Sequence, residues 1–171
     1  MKTLEFKPRK VKVHNFNFTE CAVEISHKNM FRFSIASTND SYFCFSEERT
    51  VGSKKITIVL GGWGNANSTV NWVKDDCPPR NDWYADQNSE LGKKYGWREA
   101  VCHSGPDKPD WYEVEWDIEG EEGPSMRISR IKDENGEDKR VKSTFPLKET
   151  KINWFMMACG ASSEGKYKVI I

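Results

Sequence analysis

A chain of 171 residues suits one domain, long enough to bury about two-thirds of the surface its unfolded form exposes. Its 26 Lys and Arg balance 26 Asp and Glu, so it lacks the basic footprint that nucleic acid requires. It contains no run of about 18 apolar residues to span a membrane, and the opening "MKTLEFKPRKVKV" lacks the apolar segment of a signal peptide.

The elements that follow have the two-residue period of strands. "KTLEFKPRKVKVHNFNF" carries Leu4 and Phe6, Val11 and Val13, then Phe16 and Phe18, with Lys7, Arg9 and Lys12 between them. "CAVEIS" comes next, then "MFRFSIAS" with Phe31, Phe33 and Ile35, and "SYFCFS" with Phe43 and Phe45. "KKITIVL" places Ile56, Ile58 and Leu60 on one side and runs into Gly61-Gly62, where the chain turns or bulges sharply. Asn65, Asn67 and Ser68 are expected to cap that turn with side-chain hydrogen bonds to the backbone.

Residues 74–110 resist assignment as strands and read as a long, insertion-like loop. Within it "NSELGKKYGW" is the best helical candidate, cut by Gly92 and Gly96 to a single turn. "WYEVEWDIEG" then aligns Tyr112, Val114, Trp116 and Ile118, and "SMRISRI" aligns Met126 and Ile128. "DENGED" contains Asn135-Gly136, a strong hairpin signal. "KINWFMMACG" and "KYKVII" close the chain. The pattern predicts one all-β domain over 1–171, an antiparallel sandwich of jelly-roll or lectin type, with about eight to ten strands each burying one face.

Five cysteines, Cys21, Cys44, Cys77, Cys102 and Cys159, are widely spaced and form no CxxC pair, so no metal site is expected. Free thiols suit a cytoplasmic protein. Sequons at Asn17, Asn39 and Asn67 point to secretion as the alternative. His14 and His27 read as solvated. Cys102 and His103, adjacent in sequence, make a poor nucleophile and base. Glu113, Glu115, Asp117 and Glu119, spaced by two, share one strand face. That face reads as solvent-exposed, with glycoside hydrolysis by a carboxylate pair as the alternative. No catalytic residue is assigned.

Trp116 and Trp154 fall in strand-like runs and read as core. Trp63, Trp72, Trp83 with Tyr84, and Trp97 lie among Gly, Asn and Asp. An indole ring stacks on the C–H face of a sugar or peptide while neighbouring amides take its polar groups. Trp63, Asn65, Asn67, Asn71, Trp72, Trp83, Tyr84 and Trp97 therefore form the candidate ligand-binding set, for a glycan or protein partner.

"MFRFSIASTNDSYFCFSEE", "KKITIVLGGWGNANSTV" and "INWFMMACGASSEGKYKVI" resemble the farnesoic acid O-methyltransferase-like domain. Ala36, Asp40, Gly61, Gly62, Trp63, Asn65 and Ser68 carry the match. "WYEVEWDI" to "MRISRI" resembles that family's Trp-initiated strand and hairpin, and Gly160 to Lys168 its closing strand pair. Ser41 replaces the usual Ala, Asn71 stands where Arg is common, and 74–110 looks inserted, so the likeness covers roughly two-thirds of the chain. The family name implies methyl transfer from S-adenosylmethionine to a sesquiterpenoid acid. The residues lack the strand, Gly-rich turn and helix of the common nucleotide-binding unit, and no cofactor is expected. The resemblance therefore reads as a non-catalytic binding module, with the methyltransferase or a structural, oligomerising domain as alternatives.

Overall fold

The computed structural model describes residues 2–6, 21–37, 41–49, 55–62, 66–73, 88–98, 108–159 and 165–171. Twelve strands lie among them: β1 (Thr3–Phe6), β2 (Ala22–Glu24), β3 (Met30–Ser37), β4 (Ser41–Ser46), β5 (Lys55–Gly61), β6 (Asn67–Val73), β7 (Trp97–Arg98), β8 (Asp110–Ile118), β9 (Ser125–Ile131), β10 (Arg140–Pro146), β11 (Trp154–Cys159) and β12 (Gly165–Ile170). One helix, α1 (Glu90–Tyr95), precedes β7. The first sheet runs β1-β12-β3-β8-β9-β10 and the second β2-β11-β4-β5-β6-β7. Every described pairing is antiparallel, and the sheets face one another as a sandwich.

The count exceeds eight to ten because β6, β7 and β10 carry weak apolar alternation. β6, "NSTVNWV", buries Val70 and is otherwise polar apart from Trp72 and Val73 at its end, and β7 has two residues. β10 shifts register between Val141 and Ser143, which breaks the two-residue period.

The periodic residues meet between the sheets. Phe31, Phe33 and Ile35 of β3 face Phe43 and Phe45 of β4 and Phe155 of β11. Their rings lie close, with centroids 4.7 Å apart for Phe31–Phe155 and 4.9 Å for Phe33–Phe43. Each such ring contributes about 1.5–3 kcal/mol by burial, and ring pairing adds about 0.5–1.5 kcal/mol. Trp116 joins this core.

The second sheet departs from the one-buried-face expectation. β4 and β5 are buried at every position. Tyr42, Cys44, Val59 and Met156 form a separate apolar cluster, with half-buried Trp154 against it. Trp154 therefore packs on the far face of its sheet, away from the aromatic core. Because β5 carries Val59 and Thr57 between its core-facing residues, it suits burial on both sides.

The first sheet keeps a polar outer face, organised by the β9–β10 connection. The Asn135 N–H donates to Asp133 Oδ1 at 2.9 Å, and Gly136 takes φ +85°. The loop folds back so that Arg32 Nη1 donates to the Glu134 carbonyl at 3.0 Å. A Cβ on Gly136 would lie 2.6 Å from that guanidinium.

Candidate functional site

Residues 88–98, inside the segment read as an insertion, build an edge of the second sheet. Ser89 caps α1, its Oγ accepting from the Gly92 N–H at 3.0 Å, with Glu90 in the first turn and Lys93 and Lys94 in the last. The Tyr95 carbonyl accepts from Ser143 Oγ at 2.7 Å, tying the helix to β10. Gly96 lets the chain leave α1 in contact with β6. A Cβ there would lie 2.3 Å from the Gly92 carbonyl oxygen and 2.9 Å from that of Ser68. β7 then pairs with β6, Arg98 opposite Asn67 and Trp97 opposite Ser68.

These elements enclose a cleft of about 320 Å³ whose lining includes Asn67, Thr69, Asn88, Lys93, Trp97 and Arg98. Trp97 is half-buried, packed against the core and also lining the cleft. Thr69 is 1% exposed, and its hydroxyl has no hydrogen-bond partner among the described residues. Such a group costs about 1–3 kcal/mol unless something satisfies it.

Of the candidate set, Asn67 and Trp97 both line this cleft, with Arg98 beside Asn67 and Trp97 beside Ser68 on the alternate strand face. Asn71 lies farther along β6, opposite Thr57. Trp72 alternates onto the other face and closes a corner of the sandwich. Its rings meet Tyr95 at 5.3 Å and Phe145 at 6.0 Å, and its Nε1–H donates to the Pro146 carbonyl at 2.9 Å. Lys148 Nζ lies 4.1 Å from its ring centroid, a cation–π contact. Trp63, Asn65, Trp83 and Tyr84 lie outside the described residues, as do Cys77, Cys102, His14 and His103. Sequence reading missed Thr69, Asn88, Lys93 and Arg98. The signal available was the clustering of "KKYGWR" around Trp97.

The turn after β5 meets its expectation at Gly61 and Ser68. Gly61 takes φ +68°, and its N–H donates to Ser68 Oγ at 3.3 Å. The Ala66 N–H bonds to the Gly62 carbonyl at 3.0 Å, and β6 returns antiparallel to β5. A nucleotide-type phosphate cradle instead needs a Gly turn feeding a helix that crosses to a parallel strand.

The acidic face is neither continuous nor solvated. β8 shifts register between Glu115 and Ile118, with Asp117 at φ +57°, so Asp117 and Glu119 leave the face. Glu113 is 5% exposed and paired with Arg32 Nε at 2.8 Å and Lys139 Nζ at 2.7 Å. Glu115 meets the same ammonium at 2.6 Å and Arg127 at 3.8 Å. Burial, the largest single influence, pushes the Glu113 carboxyl up. The hydrogen bonds and charges of Lys139 and Arg32 outweigh it and hold the group below the usual carboxylate range. A glycosidase acid needs the opposite shift.

A wider groove of about 720 Å³ opens at one end of the sandwich, between the β2–β3, β8–β9 and β10–β11 connections. Trp116, Asp117, Lys148 and Glu149 line it. The last three take positive φ. Its charges are mixed, and Lys148 is already set against Trp72.

No curated protein matches the chain. Among solved structures, a prokaryotic β-1,3-1,4-glucanase (lichenase) derived from a mouse hindgut metagenome is similar at 9% identity, TM-score 0.43, over 86% of this chain and 67% of that one. A functionally unknown protein from Saccharomyces cerevisiae is similar at 12% identity, TM-score 0.44, over 98% of this chain and 83% of that one. Residues 10–79, the stretch that carries β2 to β6, match the family described as "Farnesoic acid 0-methyl transferase", the family that the sequence resembles.

Proposed function

We propose that this chain is a non-catalytic module that binds a carbohydrate in the cleft between β6, α1 and β7. One observation carries the reading: Trp97, Asn67, Asn88, Lys93 and Arg98 line a single cleft at the edge of the second sheet. Its volume of about 320 Å³ lies at the small end of the ligand-site range of roughly 300–1,000 Å³. The Trp97 ring would take the apolar face of a sugar, and Asn67 and Asn88 its hydroxyls. Trp63, Asn65, Asn71, Trp83 and Tyr84 complete the proposed set, Trp72 being packed into the corner of the sandwich, and a protein partner is the alternative occupant.

A glycan array with wild type, Trp97→Ala and Asn67→Ala tests this, with circular dichroism checking the fold. Binding is expected to fall at least tenfold in Trp97→Ala and about threefold to tenfold in Asn67→Ala, the scale of one lost stacking or hydrogen-bond contact. Unchanged binding in both folded variants would overturn the reading.

The family match over residues 10–79 favours a second reading, methyl transfer to farnesoic acid. Heat on titration with S-adenosylmethionine, together with methylated product, would put this reading in place of the first.

A further inference from the structure

We propose that the saccharide bound in the β6–α1–β7 cleft is acidic, carrying a carboxylate or a sulfate. The inference rests on the binding reading above and extends it to the ligand's charge. Lys93 and Arg98 both line the cleft, and among the described residues no Asp or Glu does. The neighbouring Lys94 faces away and is tied to Glu122 at 2.6 Å. Lys93 and Arg98 have no ion pair among the described residues. This contrasts with Arg32, Arg127, Arg130, Lys139 and Lys168, each of which meets a carboxylate.

The donor and acceptor balance points the same way. An ammonium and a guanidinium offer donors and no acceptor. The remaining polar side chains are the amides of Asn67 and Asn88 and the hydroxyls of Ser68 and Thr69, which can do either. A site built to grip neutral sugar hydroxyls needs strong acceptors as well, and carboxylates are the strongest side-chain acceptors. Among the described lining residues no carboxylate is present, and an acidic ligand group would supply that acceptor. The guanidinium fork matches a carboxylate or sulfate in a planar, two-point contact, and the ammonium adds a second charge. Arg98 pairs across the ladder with Asn67, so a cation and an amide share one strand face at the cleft, while Trp97, opposite Ser68, lies on the alternate face.

Calorimetry would compare glucuronate-containing oligosaccharides, sulfated oligosaccharides and neutral gluco-oligosaccharides of equal length, at low and at physiological salt. Wild type is expected to bind an acidic series, more weakly as salt rises, and the neutral series at least tenfold more weakly. The double variant Lys93→Gln, Arg98→Gln should lose about tenfold for the acidic ligand, what two exposed ion pairs are worth together. Lys166→Gln, on the outer face of the first sheet, should lose nothing. A preference for the carboxylated or the sulfated series identifies the acidic group. Equal affinity for neutral and acidic series, with Trp97→Ala abolishing both, would overturn the acidic ligand and leave the binding module standing. Equal losses in Lys166→Gln and the double variant would mark general electrostatic attraction and overturn the proposal. Binding of no series would overturn both readings.

Discussion

Thr69 keeps a hydroxyl buried without a partner among the described residues, at a cost of about 1–3 kcal/mol. Thr69→Val removes that group at similar size. The variant is expected to be as stable as wild type, or more stable by up to about 1 kcal/mol. Thermal melts check this, and a clear loss of stability would show that the fold satisfies the hydroxyl. Glu113 is the converse case, a buried carboxylate satisfied by Arg32 and Lys139. Its folded-state value lies below the ordinary 4.5, so its stabilisation is full above that pH and is lost as pH falls through the lowered value. Glu113→Gln is expected to cost about 1–3 kcal/mol at pH 7. The gap to wild type should close on acidification, read from denaturant midpoints across pH.

The element on which the cleft depends is α1, six residues long and too short to persist alone. Ser89 caps it, Ser143 anchors its last carbonyl, and Gly96 passes it against β6. Gly96→Ala would drive a methyl group into the Gly92 and Ser68 carbonyls. It is expected to cost about 1–3 kcal/mol and to weaken glycan binding together with stability, measured by melting and calorimetry on one sample. Sequence reading counts Gly92 and Gly96 against a helix, because glycine is disfavoured in helix interiors. The structure keeps Gly96 for close approach, which local propensity does not report. Trp72 has the same history. Its setting among Asn and Ser suggests a loop, yet strand alternation turns it toward Tyr95 and Phe145.

Across the whole molecule, burial of β4 and β5 on both faces makes the second sheet the protected centre. Cys44 lies there fully buried, its thiol pushed up to about 12 by burial, with Lys55 opposing. Iodoacetamide at pH 8 is expected to leave Cys44 unmodified in the native protein and to alkylate it in guanidinium, read by peptide mass. Native labelling faster than global unfolding would show that the sheet opens locally.

The alternation of Phe31, Phe33, Ile35, Ile56, Ile58 and Leu60 was enough to specify antiparallel strands around one core, because a two-residue period leaves a buried face no other register. The Gly61 turn and the Asn135-Gly136 connection were readable too, since each needs a backbone conformation that few residues adopt. Which side chains meet was not readable. Asn67 and Arg98 are 31 positions apart in sequence and come together only through the β6–β7 pairing. Glu113 looked solvated until the β9–β10 loop brought Lys139 over it. Period and turn chemistry are local properties of the chain. The cleft, the ion-pair network and the second buried face arise from strand order and from contacts between distant segments, which no single stretch of sequence encodes.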